Sequence, residues 1–240
     1  MRVLPPVSSR SLARPVAAVP AAGAEAWARA LAQPAFCWRW ALLLALLFGV
    51  LVPVVPGYFH YIQQRPGAVA FDPLLQLLPR HEVAWPIFGL MYGSVVAAVG
   101  WLTRWPHLFL RGLWGYFILV ALRLAAIWLV PLVPPLDIVD MPDPFLALLF
   151  HTDASQAITK DLFFSGHTST VALLALAVRG RWWQGTLAVA ATAIGVLVLV
   201  QRVHYTYDVL AAPLFAWLAY WAAGFIWSTT AESELGQVEV

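Results

Sequence analysis

Charge is scarce in this chain: Asp, Glu, Lys and Arg make up 11% of its 240 residues against 62% hydrophobic ones, and the mean hydropathy is +0.77. So little charge excludes an ordinary soluble domain and points to an integral membrane protein. Cysteine is rarer still. Cys37 stands alone, so no internal disulfide can form, cysteine usage says nothing of compartment, and a small buried residue is expected there. The net charge of +2 is too small for a nucleic-acid partner, and no basic stripe runs outside the N-terminal segment. Polar and apolar residues alternate only weakly, which argues against a β-barrel, and lipid cannot satisfy an open strand edge, so helices are expected.

Six apolar runs are present, at about 38–57, 84–103, 112–134, 162–179, 182–201 and 204–227. Each approaches the roughly 20 residues needed to cross a hydrocarbon core. The expected fold is an all-α membrane protein, a six-transmembrane-helix bundle with both termini on one side. Trp38, Trp40, Trp85, Trp101, Trp105, Trp182, Trp183 and Trp227 lie near run ends, as interfacial anchors should. Ahead of the six-span domain at 37–228, residues 1–36 are rich in Ala, Pro and Arg and read as a disordered tail with a short surface helix near 24–32. That segment lacks the unbroken apolar core of a cleavable signal peptide, although its arginine-rich, acid-poor character also fits a transit peptide. Residues 229–240 form a short acidic tail.

Basic residues orient the bundle. Arg2, Arg10, Arg14, Arg29, Arg39, Arg104, Arg111, Arg179 and Arg181 fall on the side of the termini, against Arg65, Arg80, Lys160 and Arg202 on the other. Both termini are therefore expected to be cytoplasmic, in a multi-pass protein of the plasma (inner) membrane, with the first, third and fifth loops outside. The third loop, about 135–161, is long and carries an apolar patch at 144–150, which reads equally as an interfacial helix guarding a lipid entrance or as a plug.

Two polar stretches interrupt the apolar pattern: Asp161 to Thr168, D-L-F-F-S-G-H-T, and His204 to Val209, H-Y-T-Y-D-V. Both begin spans from outward loops, so they meet at one membrane surface. His204 and Asp208 are four apart, about one turn on one helix face, where the carboxylate can hold the imidazole in a single tautomer. Ser165, Gly166 and Thr168 sit where a helix begins; free N–H groups, a small hydroxyl and a glycine there suit a phosphate oxygen, and His167 is delivered beside them. Lone histidines are usually satisfied interior groups; two motifs this dense favour function. Arg123 lies mid-span, twelve residues or about 18 Å above Arg111, where a charge is costly enough to suggest a phosphate ligand over mere packing. His60, His81, His107 and His151 match no motif and are expected at the interface.

On these residues the chain resembles the sphingomyelin synthase-related branch of the type 2 phosphatidic acid phosphatase superfamily, six-span lipid phosphotransferases and phosphatases. Asp161, Phe164, Ser165, Gly166, His167 and Thr168 match D-x-x-F-S-G-H-T, and His204, Tyr205, Thr206, Asp208 and Val209 match H-Y-T-x-D-V. Arg111 and Arg123, and more loosely Asp72-Pro73-Leu74 with Trp85, extend the similarity over about 38–227. The Cys-Gly before the aspartate is Thr159-Lys160 here, and Leu122, Leu124 and Ala125 replace the tyrosine-rich surroundings of the second arginine. The resemblance implies His204 as nucleophile, Asp208 as its orienter and His167 as general acid and base. Arg123 would be the phosphate ligand, and Asp161, Ser165, Gly166, Thr168, Tyr205, Lys160 and Arg202 would lie around the phosphate. The implied partners are a membrane phospholipid donor and a lipid alcohol such as ceramide. The same residues with water as acceptor describe a phospholipase C or lipid phosphate phosphatase, and a non-catalytic lipid-binding protein is the rival of another class. No cofactor is implied, and no metal: two histidines and an aspartate on separate helices, with no further His or Cys nearby, make a poor zinc site.

Overall fold

In a computed structural model the described residues are 23–139, 141 and 158–226. The rest of the N-terminal segment, the apolar patch at 144–150, His151 and the acidic tail lie outside them. The described chain is helical, and its one β-type contact is an isolated bridge between Ala68 and Leu132. The elements are α1 (Ala24–Leu31), α2 (Pro34–Leu46), a π-helical turn (Leu47–Leu51), α3 (Val52–Gln64), α4 (Pro73–Leu77), α5 (Ala84–Leu102), α6 (Pro106–Leu129), α7 (Gly166–Ala177), α8 (Arg181–Val200) and α9 (Thr206–Phe225). Proline opens α2, α4 and α6, where its fixed φ helps and its missing N–H costs nothing.

Among the described residues, five helices are long and apolar enough to cross a membrane: the continuous Pro34–Gln64, then Ala84–Leu102, Pro106–Leu129, Arg181–Val200 and Thr206–Phe225. The fourth expected span differs. Only twelve residues of 162–179 become helix, about 18 Å long and too short to cross a core of about 30 Å alone. Leu162, Phe164 and Ser165 are fully buried in irregular chain ahead of α7, as is tolerated at membrane depth when protein surrounds the backbone. The first span is longer than expected at both ends, running from Pro34 to Gln64 through Pro53 and Pro56. Pro53 and Pro56 cannot donate to the carbonyls of Gly49 and Val52, and the helix absorbs the loss beside them in the π turn.

The core is built by α6, α7, α8 and α9. Ala212, Ala216 and Ala219 line the inner stripe of α9 with zero exposure, and such small side chains let helix backbones approach closely. At Gly195 of α8 an added Cβ would stand 2.7 Å from Cγ1 of Val209, so this glycine sets how near α8 comes to the start of α9.

The segment read as tail is folded from residue 23 onward. One face of α1 buries Ala26 and Ala30, and Trp27 donates its ring N–H to the Thr103 carbonyl at 2.7 Å while its ring meets Phe36, Trp40 and Phe109. Cys37, expected inside, is exposed with its thiol 3.1 Å from the Leu31 carbonyl. His107, expected at the interface, is buried against Phe36 at 5.1 Å between ring centres.

Candidate active site

The start of α9 builds the first half of the site. Tyr205 is the N-cap, and Asp208, three residues on, reaches back so that Oδ2 accepts the Tyr205 N–H at 3.0 Å. The same oxygen lies 3.2 Å from His204 Nδ1. His204 thus stands ahead of the helix rather than on its face, and the carboxylate spans the helix start, where the helix dipole favours its charge. His204 is 3% exposed and Asp208 not at all, and Asp208 Oδ1 is buried without a hydrogen-bond partner. With Nδ1–H directed at this carboxylate, the lone pair of Nε2 is left for the cavity, and any positive charge on the ring faces a fixed buried anion.

Asp72, the N-cap of α4, holds this region from the other side. Its carboxylate accepts the Thr206 N–H at 2.6 Å, the Thr206 hydroxyl at 3.1 Å and the Leu75 N–H at 3.0 Å. Burial pushes the Asp72 carboxyl up, but these hydrogen bonds outweigh it and hold it below the ordinary carboxylate range. A depressed native pKa means stability that is present above the unfolded value, about 4, and lost as pH falls through the lower folded value. Asp72→Asn is therefore expected to cost about 2–3 kcal/mol near neutrality, since its amide N–H would oppose the Thr206 N–H. It should also flatten the fall in thermal midpoint below about pH 4. An acid limb as steep as that of the parent chain would count against this role. The Asp-Pro pair at 72–73 was the available sequence signal, an N-cap followed by the proline of a first helical turn.

The second half comes from α7. Ser165 caps it, its hydroxyl taking the Thr168 N–H at 3.5 Å and lying 3.1 Å from the Thr168 hydroxyl, both residues being buried. The Ser165 N–H donates to the Asp208 carbonyl at 3.1 Å, which ties the two motifs main chain to main chain. His167 packs edge-on against Phe88 at 5.5 Å and faces His204 with 6.4 Å between ring centres.

Both histidines line a cavity of about 80 Å3 with Arg123, Asp161, Thr159, Ile138, Met141, Ile158 and Val203. Arg123 is bound to Asp161 through Nη2 to Oδ2 at 2.7 Å and Nε to Oδ1 at 3.1 Å, and it also donates to the carbonyls of Asp161 and Phe164. These contacts take four of the five guanidinium N–H groups, leaving one on Nη1 for a ligand. A Cβ on Gly166 would stand 2.7 Å from Arg123 Cζ, so the glycine admits the guanidinium rather than a phosphate oxygen.

Several residues expected around phosphate bond to other parts of the chain, Asp161 while lining the cavity. Asp161 is a carboxylate that would repel a phosphate, and it positions Arg123. Ser165 and Thr168 satisfy each other at the cap. The Tyr205 hydroxyl reaches the Val133 carbonyl at 2.9 Å. Lys160 Nζ is bound to the Arg65 carbonyl at 2.6 Å, and Arg202, in a left-handed turn residue with φ 62°, binds the Leu78 carbonyl at 2.8 Å and lies 3.6 Å from Asp137. Neither cation lines the cavity.

Arg123→Leu is expected to lower kcat/KM by about 100-fold or more, the cost of removing one donor from a site of developing charge. Asp161→Asn, which only loosens the guanidinium, should cost less. Unchanged kcat/KM in Arg123→Leu, with a lowered thermal midpoint, would leave it a packing role alone.

A carboxylate-held imidazole, a second imidazole and a guanidinium around one small cavity suit nucleophilic attack, proton transfer and anion stabilisation. No curated protein and no solved structure matches the chain. Residues 160–225 match the family model described as PAP2 superfamily C-terminal, and this stretch, just over a quarter of the chain, holds both histidines and Asp208 and supports similarity to that superfamily of lipid phosphatases and phosphotransferases.

Proposed function

We propose that the chain is a multi-pass membrane enzyme that cleaves a lipid phosphodiester and passes the phospho-head group to a lipid alcohol, as sphingomyelin synthases do. The observation that carries the reading is His204 Nδ1 at 3.2 Å from Asp208, on a cavity that also holds His167 and Arg123. In the first step His204 Nε2 forms a bond to phosphorus as the bond from phosphorus to the diacylglycerol oxygen breaks. His167, protonated, gives its proton to that oxygen, and Asp208 stabilises the imidazolium. In the second, the acceptor hydroxyl attacks phosphorus, its proton passes to His167, and the bond to His204 breaks. Arg123 offsets the negative charge that gathers on the phosphoryl oxygens in both steps.

Water as acceptor gives the hydrolytic reading with the same first step. A non-catalytic lipid carrier would need no orienter beneath a histidine. Purified protein with labelled phosphatidylcholine, with and without ceramide, separates the readings by mass spectrometry: phosphoceramide means transfer, free phosphocholine means hydrolysis, and neither product sinks both. In sealed right-side-out vesicles, an impermeant soluble phosphodiester should be consumed without lysis if the site faces outward. Turnover only after lysis would reverse the orientation.

A further inference from the structure

The end of the bundle away from the histidines holds a second gathering of positive charge. Arg111 near the start of α6, Arg179 just after α7 and Tyr220 near the end of α9 each stand twelve residues from a member of the candidate active site, namely Arg123, His167 and Asp208. Along a helix that is about 18 Å. The two arginines meet on one buried ring. Arg111 lies over the face of Tyr220, its Cζ 4.2 Å from the ring centre, and Arg179 Nη2 donates to the Tyr220 hydroxyl at 3.4 Å.

Little within the chain balances these charges. Among the described residues no carboxylate pairs with either arginine, in contrast to Arg123, which Asp161 holds. Both side chains are partly buried, and the Nε of each is buried without a hydrogen-bond partner. Two like charges on one ring repel, and buried N–H groups left unpaired are costly, so the arrangement calls for an anion. Attraction to the carbonyl ends of α7 and α9 is the simpler account. It requires bonds to those carbonyls, and among the described residues the pair forms one, from Arg111 Nη2 to Tyr220 at 3.5 Å. Gly224, a turn beyond Tyr220, makes room for the guanidinium, since a Cβ there would stand 2.9 Å from Arg111 Nη2.

The surroundings identify the anion. Trp101 and Trp105 precede α6, and Trp221 and Phe225 stand exposed on the end of α9, aromatic side chains of the kind that mark the head-group layer of a bilayer. Lipid phosphate lies in that layer, and guanidinium N–H groups match its oxygens in geometry and charge. We propose that Arg111 and Arg179, gathered by Tyr220, bind the phosphate of an acidic membrane lipid at a site separate from the one that holds the histidines. This site uses none of the reacting groups and does not rest on the function proposed above.

The test uses the full chain in micelles of detergent and neutral phosphatidylcholine, with and without phosphatidylglycerol. Phosphatidylglycerol at about ten times its dissociation constant should raise the parent midpoint by about 3–6 °C, and native mass spectrometry should find one such lipid retained. Arg111→Gln with Arg179→Gln should lose both effects. Arg104→Gln with Arg181→Gln, which removes as much charge from exposed positions at the same end, should keep both. Gly224→Ala displaces only the tip of Arg111, so it reports even where the double variant fails to fold; it should weaken phosphatidylglycerol binding about tenfold, the loss of one charge-assisted bond. Inorganic phosphate at the same concentration should give no rise, and an equal rise would make the ligand a free anion instead of a lipid. Glu232→Gln with Glu234→Gln should change nothing; a lower midpoint in neutral micelles together with tighter lipid binding would mean that the chain's own tail occupies the arginines. A parent without the response, or a response that survives both Gly224→Ala and the loss of Arg111 and Arg179, would overturn the site.

Discussion

His204→Ala should lose at least about 10,000-fold in turnover on lipid and soluble phosphodiesters alike, since no other nucleophile beside Arg123 stands on an orienting carboxylate. Asp208→Asn should lose about 1,000- to 10,000-fold for a different reason: an amide in place of Oδ2 admits the wrong tautomer and gives the imidazolium no counter-charge. It also weakens the acceptor for the Tyr205 N–H at 3.0 Å, so this variant should lower the thermal midpoint as well. Rapid quenching followed by intact-mass measurement should find a phospho-head group on the parent chain and none on His204→Ala. An adduct that persists in His204→Ala would place the nucleophile elsewhere.

For His167 the expected result depends on the substrate. His167→Ala should slow phospholipid turnover by about 100- to 10,000-fold, the usual range for a lost general acid. With a nitrophenyl leaving group, which departs without a proton, the first step should be nearly restored. The imidazole centres are 6.4 Å apart on one cavity, so both rings are within reach of the same bound group. If His167→Ala is equally defective with both substrates while His204→Ala keeps activity on the activated one, the two roles are exchanged.

What could be read in advance depended on sequence distance. His204 and Asp208 are four apart and Ser165 to Thr168 are consecutive, so local geometry brought them together on paper as it does in space. The Arg123–Asp161 pair joins residues 38 apart, and Asp72 meets Thr206 across 134, distances over which a single sequence carries no pairing signal. Lys160 and Arg202, placed around phosphate by the resemblance, bond to the carbonyls of Arg65 and Leu78, contacts that a single sequence does not signal. The helices followed from hydropathy, but their ends did not. Leu162, Phe163 and Phe164 are as apolar as a span and yet are irregular chain, because packing under α9, with Phe164 stacked on Phe215 at 4.1 Å, replaces helix formation there. The first span runs past 38–57 at both ends, and a π turn takes up what Pro53 and Pro56 remove.

The bond from the Ser165 N–H to the Asp208 carbonyl joins the two histidine-bearing segments directly, and Asp72 of α4 and Arg123 of α6 tie the same segments to the earlier helices. Both segments lie within 160–225, while Asp72 and Arg123 come from residues before that stretch. A substitution in α4 or α6 can therefore shift the histidine-bearing segments without touching either motif.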